Sequence, residues 1–185
     1  MTSSRLFVAI GLAAALAGAT AWHWGRKAAP PRTPAGLAAP SIAPAALYSA
    51  TFRDESGAPR ALGQFQGRIV VVNFWATWCG PCRAEMPAFQ RLHQRWTDRG
   101  VRFVGLSAEA PEASARFGRD LGISYPLWTG GDHVGELSRR LGNGSSVLPH
   151  TVIIGPAGEV LEQRVGPYTE LELDGRLRVF TRNPG

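Results

Sequence analysis

Residues 69–82 read Ile-Val-Val-Val-Asn-Phe-Trp-Ala-Thr-Trp-Cys-Gly-Pro-Cys, an apolar run followed at once by a Cys-x-x-Cys motif. The β-branched and aromatic run over residues 68–75 is typical of a strand that is buried on both faces. Cys79 and Cys82 are the only two cysteines in the chain. At the start of a helix, the first sulfur of such a motif lies over unpaired amide N–H groups, which favour a thiolate. The pattern therefore predicts a redox-active dithiol between a strand and a helix.

A structural disulfide and a zinc site both suit the cysteine pair less well. A purely structural disulfide across two residues stabilises a fold little, because the loop that it closes is short. A structural zinc site needs about four ligands, and the four histidines are scattered at His23, His93, His133 and His150. We therefore expect a dithiol that cycles, with neither a metal nor another cofactor.

The basic residues are unevenly distributed along the chain. The net charge is +6, yet no Asp or Glu precedes Asp54, and four basic residues lie before residue 47: Arg5, Arg26, Lys27 and Arg32. Residues 47–185 carry sixteen arginines against fourteen acidic residues, a net charge of +2 without a basic run. Nucleic-acid-binding proteins concentrate basic residues in a patch or stripe. The sequence therefore predicts no nucleic-acid partner.

The N-terminal residues have the pattern of a targeting segment. Arg5 precedes an apolar stretch at residues 6–22, whose length lies between a long signal-peptide core and a short membrane helix. The small residues at 19–21 suit signal cleavage, whereas Trp22 and Trp24 suit the interfacial ends of an uncleaved anchor. We expect either an inner-membrane anchor or a cleaved signal peptide, and export of the rest of the chain to the periplasm or cell envelope.

Composition divides the chain into three parts. Residues 1–27 form the targeting segment. Residues 28–46 are rich in Ala and Pro with almost no large apolar side chains, so they cannot bury enough surface to fold and are expected to be a semi-extended linker. Residues 47–185 are long enough for one domain with its own core.

The folded part alternates between strand and helix patterns. The predicted strands cover residues 47–53, 68–75, 101–107 and 123–128, with a hairpin over 151–165. The predicted helices begin at Cys79 and at about residues 112, 132 and 169. In the first helix, Met86, Phe89, Leu92 and Trp96 form a stripe that faces the core, and Pro87 is expected to kink the helix. This order predicts an α/β fold in which helices flank a central mixed sheet.

Two segments carry a family resemblance. Residues 72–87 resemble the active-site block of the TlpA/ResA branch of thioredoxin-like proteins. Residues 148–154, with the turn at Gly158, resemble the cis-proline loop and hairpin of that branch. The resemblance spans residues 47–180 and implies a thioredoxin-like fold, with residues 103–127 as a helix-strand insertion.

The resemblance implies the roles of the active-site loop. Cys79 is expected to attack a substrate disulfide, and Cys82 then displaces the substrate from the mixed disulfide. Gly80 and Pro81 complete the loop, and Pro81 presets the first helical turn. Trp78 is expected either to cover one side of the sulfur as part of the substrate-binding surface or simply to pack against the loop.

The second segment is expected to bind the substrate. Pro149 resembles the cis-proline that faces the dithiol, and the backbone of Leu148 would then pair with an extended substrate segment. His150 follows where thioredoxin relatives often carry Thr. We expect a half-exposed surface side chain for it rather than one that tunes the thiolate.

Two residues bear on proton transfer. Asn73 occupies the position of a buried acid in thioredoxin, and an amide cannot titrate. Glu85 lies three residues after Cys82, on the same helical face, and matches an acidic residue that handles protons in ResA-type proteins. The alternative is that Glu85 is an ordinary exposed helix residue.

The resemblance implies an exported thiol:disulfide oxidoreductase that reduces protein disulfides, for example in cytochrome c maturation. Its partners would be client proteins with cysteine pairs and a membrane thiol electron donor. A thiol peroxidase is one alternative, although Ala76 stands where such a site would want Thr. A copper-binding thioredoxin-like chaperone is the other; such proteins space their cysteines by three residues, and His150 would have to be the third ligand.

Overall fold

The computed structural model describes residues 42–182. The predicted targeting segment and most of the predicted linker lie outside the described residues. Between residues 42 and 182, no helix is long and apolar enough to cross a membrane.

The described residues form a seven-stranded mixed sheet with helices on both faces. The strands are β1 (Thr51–Arg53), β2 (Pro59–Ala61), β3 (Ile69–Phe74), β4 (Val101–Ser107), β5 (Leu127–Thr129), β6 (His150–Ile154) and β7 (Val160–Val165). The α-helices are α1 (Pro44–Tyr48), α2 (Gly80–Trp96), α3 (Pro111–Asp120), α4 (Asp132–Arg140) and α5 (Glu170–Arg182). The strand order is β2-β1-β5-β4-β3-β6-β7. The predicted thioredoxin-like architecture is confirmed, and the expected helix-strand segment is present as α3 and β5.

Strand β3 lies inside the sheet and organises the core. It pairs in parallel with β4 and antiparallel with β6, and all six of its residues are buried. Because side chains alternate along a strand, Val71 packs with Cys82 in the core beneath α2. Val72 packs with Leu137 in the second core beneath α4. The continuous apolar pattern of this segment follows from burial on both faces.

Helix α2 begins at the cysteine motif. Cys79 is its N-cap residue, and Pro81 lies in its first turn, where no partner is needed for a backbone N–H. The predicted stripe is buried, with Met86, Phe89, Leu92 and Trp96 all in the core. The helix continues through Pro87 to Trp96, so the proline does not end it.

Two of the predicted strands are shorter than expected. The strand predicted from residue 47 starts only at Thr51, because Pro44 opens the short helix α1 over the first of these residues. The strand predicted from residue 123 is confined to β5. Ser124 instead pairs with the side chain of Gln90, whose amide accepts from Ser124 N at 2.8 Å and donates to its hydroxyl at 2.8 Å.

Helix α5 contacts α2 through a buried carboxylate. Asp174 is buried, and its Oδ1 accepts hydrogen bonds from Trp96 Nε1 at 2.8 Å and from Arg95 at 3.2 Å. Its Oδ2 accepts from Arg178 at 2.8 Å. The bonds to Trp96 and Arg95 hold α5 against α2, and the backbone N–H of Tyr168, just before α5, donates to Glu85 on α2.

We expect Asp174→Ala to lower the free energy of unfolding by about 2 kcal/mol, because the buried Trp96 N–H loses its acceptor. Asp174→Asn keeps an oxygen at that position and should recover at least half of the loss. Urea unfolding measures both variants, with Glu136→Ala as a control that removes only an exposed ion pair to Arg139. Equal losses in the two Asp174 variants would show that the arginines, rather than the indole, matter at this position.

Candidate active site

Cys79 and Cys82 form a disulfide at the start of α2. Their sulfurs are 2.01 Å apart and their Cα atoms 5.3 Å apart. Cys79 is 5% exposed and Cys82 is fully buried, so Cys79 is the outer of the two. Its Sγ accepts a hydrogen bond from the backbone N–H of Cys82 at 3.3 Å. After reduction, the same amide would stabilise a Cys79 thiolate.

The loop before the disulfide is held from the neighbouring strand. Glu109, just after β4, accepts from the backbone N–H of Thr77 at 2.7 Å and from its hydroxyl at 2.6 Å. Trp78, next along the loop, is 75% exposed, which disfavours simple packing and leaves the indole open to a partner. The sequence reasoning missed Glu109. The signal was available, since the carboxyl ends of the parallel strands β3 and β4 meet at one edge of the sheet.

The cis-proline loop is present as the resemblance implied. The Leu148–Pro149 peptide bond is cis, and the Pro149 carbonyl accepts from Gly166 N–H at 2.8 Å. His150, next in the chain, pairs with Phe74 at the end of β3, which brings the loop to the same edge of the sheet as the disulfide. Within residues 42–182, the backbone N–H and C=O of Leu148 make no hydrogen bond.

Glu85 is buried, and the exposed alternative is wrong. The side chain is 3% exposed. Its Oε1 accepts from Asn73 Nδ2 at 2.8 Å, and its Oε2 accepts from Tyr168 N–H at 2.9 Å. The amide of Asn73 also donates to Thr151 Oγ1 at 3.1 Å. The amide thus holds the carboxylate in place without competing for its proton.

The environment of Glu85 brings its titration to neutral pH. Burial raises its pKa to about 7, against the opposing effects of the Tyr168 and Asn73 hydrogen bonds and of the Arg164 charge. A carboxyl that both binds and releases a proton near pH 7 therefore lies one turn after Cys82 on α2. Sequence reasoning did not identify Tyr168, whose backbone N–H comes from 83 residues away.

His150 is not a surface residue, contrary to expectation. It is completely buried, its ring stacks on Phe74 at 5.2 Å, and its Nδ1 lies 2.9 Å from Ser138 Oγ. Burial lowers its pKa to about 4, although the side chain of Gln163 opposes the shift. The alternation along β6 places His150 with Phe74 on the α4 face, opposite to Cys82. The imidazole therefore does not meet the disulfide as a third copper ligand.

Among the described residues, no group of three or more His, Cys, Asp or Glu side chains is arranged to hold a metal ion.

Comparisons with known proteins agree with this geometry. The AhpC/TSA family matches residues 39–163. The thiol-disulfide oxidoreductase ResA of Bacillus thuringiensis (strain Al Hakam) is 30% identical over 130 residues, which are 69% of this chain and 72% of that protein. ResA of Oceanobacillus iheyensis is 35% identical over 117 residues, 63% of this chain and 59% of that protein.

A solved structure is similar over a larger share of the chain. It is a thiol:disulfide interchange protein of the thioredoxin family from Chlorobium tepidum TLS, 27% identical with a TM-score of 0.61. The match covers 81% of this chain and 99% of that one.

We expect Glu85→Gln to flatten the pH dependence of stability in the oxidised protein. Because the folded-state pKa of Glu85 is about 7, above the ordinary value of 4.5, the folded protein holds a proton that the unfolded chain has released. The contribution is complete below pH 4.5 and is lost as the pH rises through 7, on the order of 3 kcal/mol in all.

Chemical denaturation between pH 4.5 and 8 measures this difference, with Glu112→Gln on the exposed face of α3 as the control. In the reduced protein, removing the negative charge should also lower the apparent thiol pKa, measured by alkylation rate against pH, and slow turnover near neutral pH. A Glu85→Gln variant that keeps the wild-type slope and alkylation profile would rule out a buried ionisable Glu85.

Proposed function

The chain belongs to the AhpC/TSA family and is a thiol:disulfide oxidoreductase of thioredoxin-like fold, and we propose that it reduces disulfides of client proteins in the periplasm or cell envelope. One observation carries the proposal. A disulfide at a helix N-terminus shares a sheet edge with a cis-proline loop, where the backbone of Leu148 is unpaired within the described residues. A client with an extended segment around its own cysteine fits that combination.

The reaction needs only the two thiols and a base. The Cys79 thiolate attacks one sulfur of the client disulfide, and the other client sulfur leaves as a thiolate that takes up a proton. The Cys82 thiol then loses its proton, attacks the Cys79 sulfur and releases the second client thiol. Glu85, which titrates near pH 7, accepts the Cys82 proton. The client gains two electrons, and the Cys79–Cys82 pair is left oxidised.

The net direction depends on the supply of electrons. The Gly80-Pro81 pair between the cysteines resembles that of thioredoxin, whose potential is low at about −270 mV. In an oxidising compartment the Cys79–Cys82 disulfide must be reduced again after each turnover, so the second partner is a membrane thiol donor. Maturation of cytochrome c, in which a client's cysteine pair must be reduced before haem attachment, is a process of this kind.

Residues 1–27 supply the location in this proposal, as an inner-membrane anchor or a cleaved signal peptide. The part of the predicted linker at 28–46 that precedes α1 then lets the folded domain reach its clients. The copper alternative gains no support from the position of His150. The peroxidase alternative gains none from Ala76, which carries no hydroxyl and whose carbonyl accepts the Cys79 N–H at 3.1 Å.

A trapping experiment should distinguish the roles of the two cysteines. Cys82→Ser keeps the attacking thiol but removes the resolving one, so mixed disulfides with clients should accumulate. Cys79→Ser, the matched control, should capture nothing. Isolation of disulfide-linked complexes from the native envelope, followed by identification of the bound proteins, measures both. Capture by the Cys79→Ser variant instead would reverse the assignment of roles.

Export is tested by topology. A phosphatase that is active only outside the cytoplasm, fused after Gly185, should be active when the full chain is expressed. Deleting residues 6–22 should abolish that activity, since the apolar stretch is the proposed export signal. An expressed but inactive full-length fusion would overturn the proposed location while leaving the thiol chemistry untouched.

A further inference from the structure

A buried polar chain runs beneath the cis-proline loop, on the sheet face opposite to the disulfide. Its members are Ser138 on α4, Asn143 in the loop after α4, and His150 at the start of β6, all of them buried. Asn143 Nδ2 donates to Ser138 Oγ at 3.0 Å, and Ser138 Oγ lies 2.9 Å from His150 Nδ1. The redox mechanism above uses none of these three side chains.

Asn143 binds the backbone of Val147 in two places. Its Nδ2 donates to the Val147 carbonyl at 2.9 Å, and its Oδ1 accepts from the Val147 N–H at 3.2 Å. These two bonds fix the orientation of the side-chain amide, because the Val147 N–H requires an oxygen and the Val147 carbonyl an N–H. Asn143 therefore satisfies both backbone hydrogen-bonding groups of Val147, as a neighbouring strand would.

The same bonds decide where the next residue points. In extended backbone, successive residues direct their N–H and C=O groups to opposite sides, and a residue before proline is restricted to extended conformations. With both groups of Val147 bound to Asn143, we infer that those of Leu148 face away from Asn143. Within residues 42–182, they have no hydrogen-bond partner.

The hydrogen bonds from Asn143 to Ser138 and on to His150 also have a direction. Ser138 Oγ accepts from Asn143 and keeps its own proton, which it can donate to His150 Nδ1 when that nitrogen carries no proton. This arrangement requires a neutral imidazole with its proton on Nε2. Burial keeps it neutral by lowering the pKa of His150 to about 4.

We propose that His150, Ser138 and Asn143 are positioning residues that hold the Leu148 backbone in the orientation that pairs with an extended client. The inference rests on the proposed pairing of clients with Leu148. It adds that affinity for a polypeptide substrate is set from the far face of the sheet, by residues that touch neither the sulfurs nor the client. The reduction rate of a small disulfide, which does not pair with the Leu148 backbone, should not depend on these three residues.

The test compares two substrates on the full-length reduced enzyme. One is a synthetic extended peptide with an internal disulfide, and the other is the small aromatic disulfide dithiobis-nitrobenzoate. Ser138→Ala, which removes the central hydroxyl, should raise KM for the peptide about five- to tenfold, as expected for the loss of about one hydrogen bond. The kcat for the peptide and the rate with the small disulfide should stay within about twofold of wild type.

A control and a local readout accompany the kinetics. Ser114 is a buried helical serine whose hydroxyl has no hydrogen-bond partner among the described residues. Ser114→Ala should therefore leave both the peptide KM and the rate with the small disulfide unchanged. In Ser138→Ala, amide hydrogen exchange at Val147 should accelerate, while exchange at Ile153 inside β6 should stay at the wild-type rate.

A second pair of variants serves if Ser138→Ala fails to fold. His150→Asn keeps an acceptor close to the position of Nδ1, whereas His150→Leu removes it. The Asn variant should therefore retain a lower peptide KM than the Leu variant.

The outcomes separate this inference from the proposed function. An unchanged peptide KM, or equal losses on both substrates, overturns the positioning role while the proposed function stands. A wild-type enzyme that reduces the small disulfide but not the peptide overturns the proposed function, and the inference with it.

Discussion

Burial of β3 on both faces is the constraint on which the rest of the site depends. A strand with no exposed residue has one register in which it can sit. Alternation then sends Asn73 toward α2 and Phe74 toward α4. The first of these side chains meets Glu85 and the second stacks on His150. The two polar clusters of the active site therefore occupy opposite faces of one strand, a single residue apart in sequence.

Each cluster solves the problem of a buried polar group in its own way. Glu85 accepts two hydrogen bonds that favour its charged form, while burial favours the neutral form. Because these effects nearly balance, the carboxyl titrates near pH 7, which suits a base for a buried thiol. Among residues 42–182, no charged group acts on His150, so burial dominates and the imidazole stays neutral. Proton exchange and fixed geometry are thus assigned to different groups.

The sequence predicted the elements with a long, regular pattern and the chemistry contained in one motif. Strand β3, helix α2 and the hairpin of β6 and β7 were all expected, because each shows its sequence pattern over five or more residues. Strand β2 was missed and β5 was predicted four residues too early, because each has only three residues, too few to show alternation. The burial of His150 was missed because a histidine inside a core requires partners. Those partners, Ser138 and Asn143, form no pattern with it in sequence.

The cis-proline loop and the disulfide are each held in place by a separate side chain, one on each face of the sheet. Glu109 holds Thr77 on the disulfide side, and Asn143 holds Val147 on the other side. In both cases a side chain binds backbone or hydroxyl groups one or two residues before the functional residue, Cys79 or Leu148. The anchors fix the backbone and leave the reacting sulfur and the pairing amide free. Since the anchors are buried or half-buried, the proposed client would meet a surface whose geometry is set before binding.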